Sequence, residues 1–313
     1  MQSVTSRIFC ACLRAVFHSP FINNANMSDT AGKKTKNIKS HYRPSKDFTI
    51  SRIKCDNCYY EILKNKNCNT EKVIFMIHGG SFKVKLIDTY RRIAEKYSNL
   101  LDGATVVSVD YRIFPQFEHP AQLHDTKDVY LELLNKGIKP ENIIFIGDSA
   151  GANLAVTTTL WLRDNEYPLP SQIVCFSLWA DMTSSGESRV KNAYLDPFGG
   201  IAKNKSIEEN WNYLHRISAY AKNIDRISPY VSPVFAEFNN FPPVTLVCGG
   251  AEMDESDNDR VFAKMKEENI NVKLLKYDGM FHCFQMVSFL PESRDAYKRV
   301  FERIRSVNNE PER

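Results

Sequence analysis

Long hydrophobic runs are missing from this sequence: none reaches the roughly 18 apolar residues that a membrane-spanning helix requires, so no transmembrane segment is predicted. Internal repeats and low-complexity tracts are missing as well. Hydrophobic residues make up 43% and charged residues 25% of the 313 positions, which excludes a disordered or fibrous chain and predicts a soluble globular protein. The formal net charge is only +4, so the composition gives no reason to expect a nucleic-acid partner.

Metal-binding patterns are also missing, although the chain has eight cysteines. No Cys/His quartet has the spacing of a zinc site, so no metal ion is expected. The sharpest exception is the segment Cys55-Asp-Asn-Cys58, whose central pair suits a two-residue hairpin turn. The two cysteines then face each other at the strand ends, with a metal or redox role as the alternative. A reducing compartment, the cytoplasm, is the simplest interpretation of unpaired cysteines.

Acidic residues are missing before Asp29, whereas six basic residues occur in the first 39 positions. Residues 1–22 combine spaced arginines with apolar residues at helical intervals, which fits an organellar presequence or an interfacial membrane anchor. A cap helix or a disordered lead is the alternative. We therefore predict an N-terminal arm over residues 1–45 before a catalytic domain over 46–313, and an organellar or membrane-associated location through residues 1–26 is the alternative to the cytoplasm.

Beyond this arm, apolar strands alternate with helices, as in the βαβ units of a parallel sheet. A hairpin comes first, and six buried strands are predicted at residues 73–77, 104–109, 142–146, 172–178, 244–248 and 272–277. Polar residues come directly after these strands, so the site is expected in the crevice at their carboxyl ends. Residues 186–240 interrupt the alternation and are predicted to be a cap insertion, with one helix that carries the residues Trp211, Tyr213, His215 and Tyr220.

Two glycine-rich turns predict the nucleophile and its oxyanion hole. Gly147-Asp-Ser-Ala-Gly151 has the G-x-S-x-G pattern of a nucleophile elbow, between a predicted buried strand and a helix rich in small residues. We predict Ser149 as the nucleophile and the amide of Ala150, at the helix N-terminus, as one oxyanion donor. The segment His78-Gly79-Gly80-Ser81 follows the third strand, and its glycines allow the amides of Gly79 and Gly80 to approach an acyl oxygen.

A serine hydroxyl needs a general base, and an imidazole with a pKa of about 6.5 suits that task. His282 follows the last predicted strand and comes after the serine and the acid in the chain, so we predict it as the base. The other six histidines lie in the arm, near strand exits or in the insertion: His18, His41, His78, His119, His124 and His215.

The acid that orients the imidazole is expected after the strand at 244–248, where three candidates occur: Glu252, Asp254 and Asp257. The short turn Gly249-Gly-Ala favours Glu252. Asp254 and Asp257 suit the N-cap and first turn of the next helix, and Asp254 remains the alternative acid.

Together these motifs resemble the hormone-sensitive-lipase-like family of α/β-hydrolases, which includes carboxylesterases and arylacetamide deacetylase-like enzymes. The resemblance covers about residues 70–305 and extends to Asp110-Tyr-Arg-Ile-Phe-Pro115, Leu178-Trp-Ala-Asp181, Ser228-Pro-Tyr-Val-Ser-Pro233 and Phe281-His-Cys-Phe-Gln285. The family's spacing between acid and histidine favours Glu252. Two departures occur: Ser81 replaces the family's third glycine, and Glu252-Met-Asp254 replaces its usual Asp-Pro-Leu.

The resemblance implies an α/β-hydrolase fold, with a mostly parallel, doubly wound sheet and a helical cap to which part of residues 1–60 contributes. It also implies a serine carboxylesterase that hydrolyses short-chain or small-molecule acyl esters through an acyl-enzyme, without a cofactor. An amidase or formamidase acting on aromatic N-acyl substrates is the alternative, and a non-catalytic small-molecule-binding homologue is a further one. A homodimer is also expected.

Overall fold

The computed structural model describes residues 2–18 and 40–307, and these contain one eight-stranded sheet in the order β1-β2-β4-β3-β5-β6-β7-β8. The strands are β1 (Phe48–Cys55), β2 (Cys58–Asn65), β3 (Val73–Ile77), β4 (Thr105–Asp110), β5 (Ile143–Asp148), β6 (Gln172–Phe176), β7 (Val244–Gly249) and β8 (Val272–Tyr277). β2 pairs antiparallel with β1 and with β4, whereas the six strands from β3 to β8 run parallel to one another.

The described helices are α1 (Val4–Phe17), α2 (Asp88–Leu100), α3 (Ala121–Asn135), α4 (Ala150–Asp164), α5 (Ser188–Lys191), α6 (Trp211–Leu214), α7 (Glu255–Glu267) and α8 (Pro291–Val307). Short 3-10 turns occur at Pro140–Asn142, Ala219–Ala221, Pro233–Phe235 and Phe284–Met286. Alternate residues of the central strands pack into two separate hydrophobic cores, one on each face of the sheet. Phe75 and Phe145 pack on one face of the sheet with residues of α3 and α4, whereas Met76 packs on the other with residues of α2 and α8.

This two-sided covering explains why the central strands read as continuous apolar runs. All five residues of β3 and all six of β5 are buried, as expected for parallel strands with helices on both faces. The predicted fold class, a mostly parallel and doubly wound α/β sheet, is confirmed. The hairpin also has the expected register, because Cys55 lies opposite Cys58.

The insertion differs from its prediction. The prediction of one helix that carries both Trp211 and Tyr220 is wrong. The helix α6 ends at Leu214, and Tyr220 lies in the separate 3-10 turn Ala219–Ala221. The backbone of Ser218 is extended (φ −59°, ψ 140°), which separates the two short pieces. Trp211 is half exposed and Tyr220 is buried, so the aromatic residues do not share one helical face.

The N-terminal helix α1 packs against the catalytic domain. Its N-cap Ser3 and its buried Ser6 both donate hydrogen bonds to the carboxylate of Glu292 in α8. The ring of Phe9 lies 6.0 Å from that of Phe281, next to the predicted base. The rest of the predicted arm up to residue 39 lies outside the described residues. Across residues 2–18 and 40–307, every helix is too short or too polar to span a membrane.

Candidate active site

The predicted nucleophile lies at a sharp turn between β5 and α4. Ser149 has φ 52° and ψ −119°, a conformation that an L-residue adopts only when its surroundings impose it. The turn also needs its glycines. A Cβ on Gly147 would lie 2.4 Å from the carbonyl oxygen of Gly151, and a Cβ on Gly151 would lie 2.1 Å from that of Ile77. The sequence therefore folds here into the nucleophile elbow that the pattern predicts.

A continuous chain of hydrogen bonds joins three predicted residues. Nε2 of His282 lies 2.9 Å from Oγ of Ser149, and Nδ1 lies 2.7 Å from Oε2 of Glu252. Glu252 is fully buried, and its Oε1 accepts a 2.6 Å hydrogen bond from the amide of Gly249 at the end of β7. The carboxylate is thus fixed by the strand that precedes it. This arrangement can move a proton from the serine hydroxyl to the imidazole and stabilise the imidazolium that results.

The other two acids occupy different positions. Oδ2 of Asp254 lies 3.6 Å from Nδ1 of His282, and its Oδ1 accepts a 2.7 Å bond from Arg189. Asp254 is the N-cap residue of α7, as the sequence suggested. Asp257 accepts hydrogen bonds from the backbone amides of Ala180 and Asp181, at 3.0 and 2.9 Å. The short bond to the imidazole therefore belongs to Glu252.

Burial affects the acid and the base in opposite directions. It raises the pKa of Glu252, against the opposing effect of the hydrogen bond from His282. Burial lowers the pKa of His282, but neighbouring Cys283 and Glu252 oppose this, and the pKa ends well above its usual value of 6.5. Burial also raises the pKa of the Cys283 thiol, so the thiol is neutral near pH 7. We therefore attribute the raised pKa of His282 to the carboxylate of Glu252.

The oxyanion loop, residues 78–82, differs from the prediction at Gly79. The Gly79 amide donates to Oδ1 of Asp148 at 3.1 Å and to the hydroxyl of Tyr90 at 3.0 Å, so it points into the protein. Within residues 2–18 and 40–307, no protein acceptor binds the amides of Gly80, Ser81 and Ala150. The geometry therefore corrects the predicted donor set: Gly79 anchors the loop, and the Ser81 amide takes its place among the candidate donors.

Two further points concern the role of His78 and the expected lack of a metal site. His78 is fully buried, and its ring stacks 4.2 Å from that of Tyr111. Burial lowers the pKa of His78, which keeps the imidazole neutral and gives it a supporting role under the loop. The described residues contain no cluster of three or more His, Cys, Asp or Glu side chains that could hold a metal ion.

Two residues of the site were not found from the sequence. Tyr90 lies in the first turn of α2, and no local pattern distinguishes it from a core tyrosine. Arg189 lies in the insertion, and its ion pair with Asp254 connects it to the site. Asp148 belongs to the elbow motif, but the sequence does not indicate its contact with the oxyanion loop.

The sheet order, the elbow and the hydrogen-bonded Ser, His and Glu define the class of α/β-hydrolases. Comparison with known proteins agrees. Residues 74–286 match the model of a family described as "alpha/beta hydrolase fold". The chain is 31% identical over 239 residues to an esterase of Acinetobacter venetianus, covering 76% of each protein. It is 27% identical over 240 residues to an acetyl-hydrolase of Streptomyces hygroscopicus, covering 76% of this chain and 77% of that protein.

Solved structures give the same result. A crystal structure of an esterase/lipase from an uncultured bacterium matches with a TM-score of 0.82 and 26% identity, over 98% of this chain and all of that one. An esterase from the bacterial hormone-sensitive lipase family matches with a TM-score of 0.80 and 26% identity, over 98% and 99% of the two chains. The chain therefore belongs to the alpha/beta hydrolase family, among its hormone-sensitive-lipase-like esterases. The predicted family and enzyme class are confirmed.

Proposed function

We propose that this protein is a serine carboxylesterase that hydrolyses short-chain or small-molecule acyl esters through an acyl-enzyme intermediate. The observation that carries the proposal is the relay from Ser149 through His282 to Glu252, with bonds of 2.9 and 2.7 Å. The base touches the nucleophile and is itself oriented by a buried carboxylate, which is the geometry that nucleophilic catalysis by serine needs.

In the proposed first step, Oγ of Ser149 attacks the ester carbonyl carbon while Nε2 of His282 takes its proton. The carbonyl oxygen becomes an oxyanion, which accepts hydrogen bonds from the amides of Gly80, Ser81 and Ala150. The bond to the alcohol oxygen then breaks, and His282 returns its proton to that oxygen. Water attacks the acyl-enzyme in the same way, so the products are the carboxylic acid, the alcohol and the original serine.

The preference for small acyl groups is supported by similarity. An acetyl esterase of Salmonella enteritidis is 27% identical to this chain over 227 residues, covering 69% of the chain and 66% of that protein. The acetyl-hydrolase of Streptomyces hygroscopicus points to the same substrates. We therefore propose acetyl and other short acyl esters as the substrate class.

The test is a series of p-nitrophenyl esters from acetate to palmitate, hydrolysed by the wild type and by Ser149→Ala, Glu252→Gln and Asp254→Asn. We expect the highest kcat/KM on short esters and a loss on the order of 10⁴ or more in kcat for Ser149→Ala. Glu252→Gln should lose far more activity than its matched control Asp254→Asn, because only Glu252 makes the short bond to the imidazole.

Three results would contradict the proposal. Activity that survives in Ser149→Ala would exclude the serine as nucleophile. A wild type inert on every ester but active on p-nitroanilides or N-formyl aromatic amines would favour an amidase. A wild type that binds small aromatic molecules without converting them would favour a non-catalytic homologue.

We further propose one catalytic unit over residues 46–313, with α1 as part of its cap, in a reducing compartment such as the cytoplasm. The free thiols of Cys55 and Cys58, which lie opposite each other in the hairpin, favour that compartment. Cell fractionation of the full chain beside a variant that lacks residues 1–26 would test this against an organellar or membrane location. A homodimer remains a prediction that sedimentation velocity would test.

A further inference from the structure

One buried carboxylate at the site is not used by the proposed reaction. Asp148 is the last residue of β5 and precedes the nucleophile, and it is only 8% exposed. Burying a carboxylate is costly, so such a group is retained when it makes specific hydrogen bonds. Its Oδ1 accepts from the amide of Gly79 at 3.1 Å, and its Oδ2 accepts from the hydroxyl of Tyr90 at 2.8 Å.

Tyr90 closes a triangle of hydrogen bonds. Its hydroxyl oxygen lies 3.0 Å from the Gly79 nitrogen and accepts from that amide while it donates to Asp148. The three groups come from three separate elements: the helix α2, the strand β5 and the oxyanion loop. The contact is also tight, since a Cβ on Gly79 would lie 2.4 Å from Oδ2 of Asp148. Only glycine brings the loop this close to the carboxylate.

The loop needs such an anchor because its backbone is strained. Gly80, Ser81 and Phe82 follow one another with φ of 105°, 54° and 60°. Serine and phenylalanine avoid this region, so the conformation persists only where the surroundings hold it. The hydrogen bonds to Gly79 fix the start of the strained segment and therefore the direction of the amides that follow.

The same carboxylate also touches the loop of the base. The Sγ atom of Cys283, the residue after His282, lies 3.8 Å from Oδ2 of Asp148. The amide of Cys283 in turn donates to Ser177 at the end of β6, at 2.9 Å. Asp148 thus contacts the oxyanion loop and the histidine loop, and it is bonded directly to the nucleophile.

We propose that Asp148 and Tyr90 are positioning residues that hold the oxyanion loop in its catalytic orientation by binding the amide of Gly79. The inference rests on the proposed esterase function, because the orientation of the loop matters only if an oxyanion forms. Neither residue touches the substrate. Their effect is on the alignment of the donors, and it is largest when negative charge develops on the acyl oxygen.

The variants Tyr90→Phe and Asp148→Asn test this role. Tyr90→Phe removes one acceptor of the Gly79 amide and one donor to Asp148 without changing the shape of the core. In Asp148→Asn only one side-chain oxygen can accept, so the Tyr90 hydroxyl loses its acceptor and the Gly79 amide loses the negative charge of its partner. The matched control is Tyr97→Phe on the same helix, since Tyr97 is similarly buried and packs against Tyr297 and Phe301, but its hydroxyl is hydrogen-bonded to Tyr297 and not to Gly79 or Asp148.

The measurement is kcat and KM on p-nitrophenyl acetate, per active site titrated with a fluorophosphonate. Removing an oxyanion donor costs a factor of about 10²–10³ in kcat, so misaligned donors should cost roughly 10-fold in Tyr90→Phe and up to 10²-fold in Asp148→Asn. KM should stay within about twofold, because the lost interaction belongs to the transition state. Tyr97→Phe should keep the wild-type kcat. Tyr90→Phe combined with Asp148→Asn should lose less than the product of the two single losses, because both residues bind one amide.

A second readout separates positioning from a merely structural role. A trifluoromethyl ketone adds to Ser149 and forms an oxyanion in the same hole, so its inhibition constant should rise by the same factor by which kcat/KM falls. If the variants lose thermal stability but keep kcat per titrated site and the affinity for the ketone, the positioning role is overturned. If the wild type hydrolyses no ester, the proposed function fails and the inference fails with it.

Discussion

The buried carboxylate of Asp148 predicts a pH dependence of stability that can be worked out from the structure. Burial raises its pKa from 3.8 to about 6, although the hydrogen bonds from Tyr90 and Gly79 oppose this effect. The folded state therefore binds this proton more tightly than the unfolded state. Its contribution to stability is fully present below about pH 4 and is lost as the pH rises through about 6.

The magnitude follows from the same two values. One pKa unit corresponds to about 1.4 kcal/mol, so a rise from 3.8 to about 6 lowers the free energy of unfolding by about 3 kcal/mol above pH 6. Asp148→Asn cannot ionise and escapes this loss. The free energy of unfolding of Asp148→Asn minus that of the wild type should therefore rise by about 3 kcal/mol between pH 4 and pH 7.

Other titratable groups near Asp148 should not change this pH dependence of the stability difference between Asp148→Asn and the wild type. The phenol of Tyr90 and the thiol of Cys283 both have a raised pKa, mainly because they are buried, so they stay neutral over this range. The pKa of His282 lies well above 6.5, so its imidazolium charge is largely constant below pH 6. The pH window from about 4 to about 6 therefore reports on Asp148.

The assay is urea unfolding followed by circular dichroism at half-unit steps of pH from 4 to 8. Glu209→Gln is the control, because it also replaces a carboxylate by an amide, but at an exposed position. A stability difference between Asp148→Asn and the wild type that stays constant across these pH values would refute the reasoning. So would a difference that falls as the pH rises.

Three further predictions concern the base, the oxyanion loop and α1. Because the pKa of His282 is raised, the acid limb of kcat/KM should have its midpoint above about 6.5, and a pH profile from 5 to 9 with its midpoint below 6 would contradict this. Gly79→Ala should abolish turnover, because its Cβ would lie 2.4 Å from Oδ2 of Asp148. Esterase assays should then detect no activity, while the far-UV circular dichroism spectrum stays nearly unchanged. Glu292→Gln should destabilise the packing of α1 by about 1–3 kcal/mol, because the amide of Ser3 and the hydroxyls of Ser3 and Ser6 all donate to that carboxylate. Limited proteolysis should then cleave within residues 2–18 sooner than in the wild type.

The sequence predicted the parts of the site that depend on local patterns. Strand, glycine turn and helix are read directly from the segment around Ser149, and polar residues after buried strands locate His282 and Glu252. The parts it missed depend on tertiary contacts. Gly79 has the residue type of an oxyanion donor, but the direction of its amide is set by Asp148 and Tyr90 from other elements.

The insertion shows the same limit. The aromatic residues between 211 and 220 have a spacing that fits one helix, yet the chain turns at Ser218 so that Tyr220 can stack 4.0 Å from Phe82 of the oxyanion loop. Burial of that aromatic pair outweighs the weak propensity of a short polar helix, and no local pattern reports such a contact.

The surroundings of His282 explain why a second acid so near the imidazole does not compete with Glu252. Asp254 is 3.6 Å from Nδ1, but its other oxygen is held by the buried guanidinium of Arg189 at 2.7 Å. That ion pair balances the negative charge of Asp254 and keeps its carboxylate from turning fully toward the imidazole ring. Glu252 is held by the Gly249 amide, which leaves its second oxygen free to face the imidazole. Both carboxylates lie within 4 Å of Nδ1 of His282, so proximity alone does not decide which of them orients the imidazole. The other hydrogen-bond partner of each carboxylate decides it.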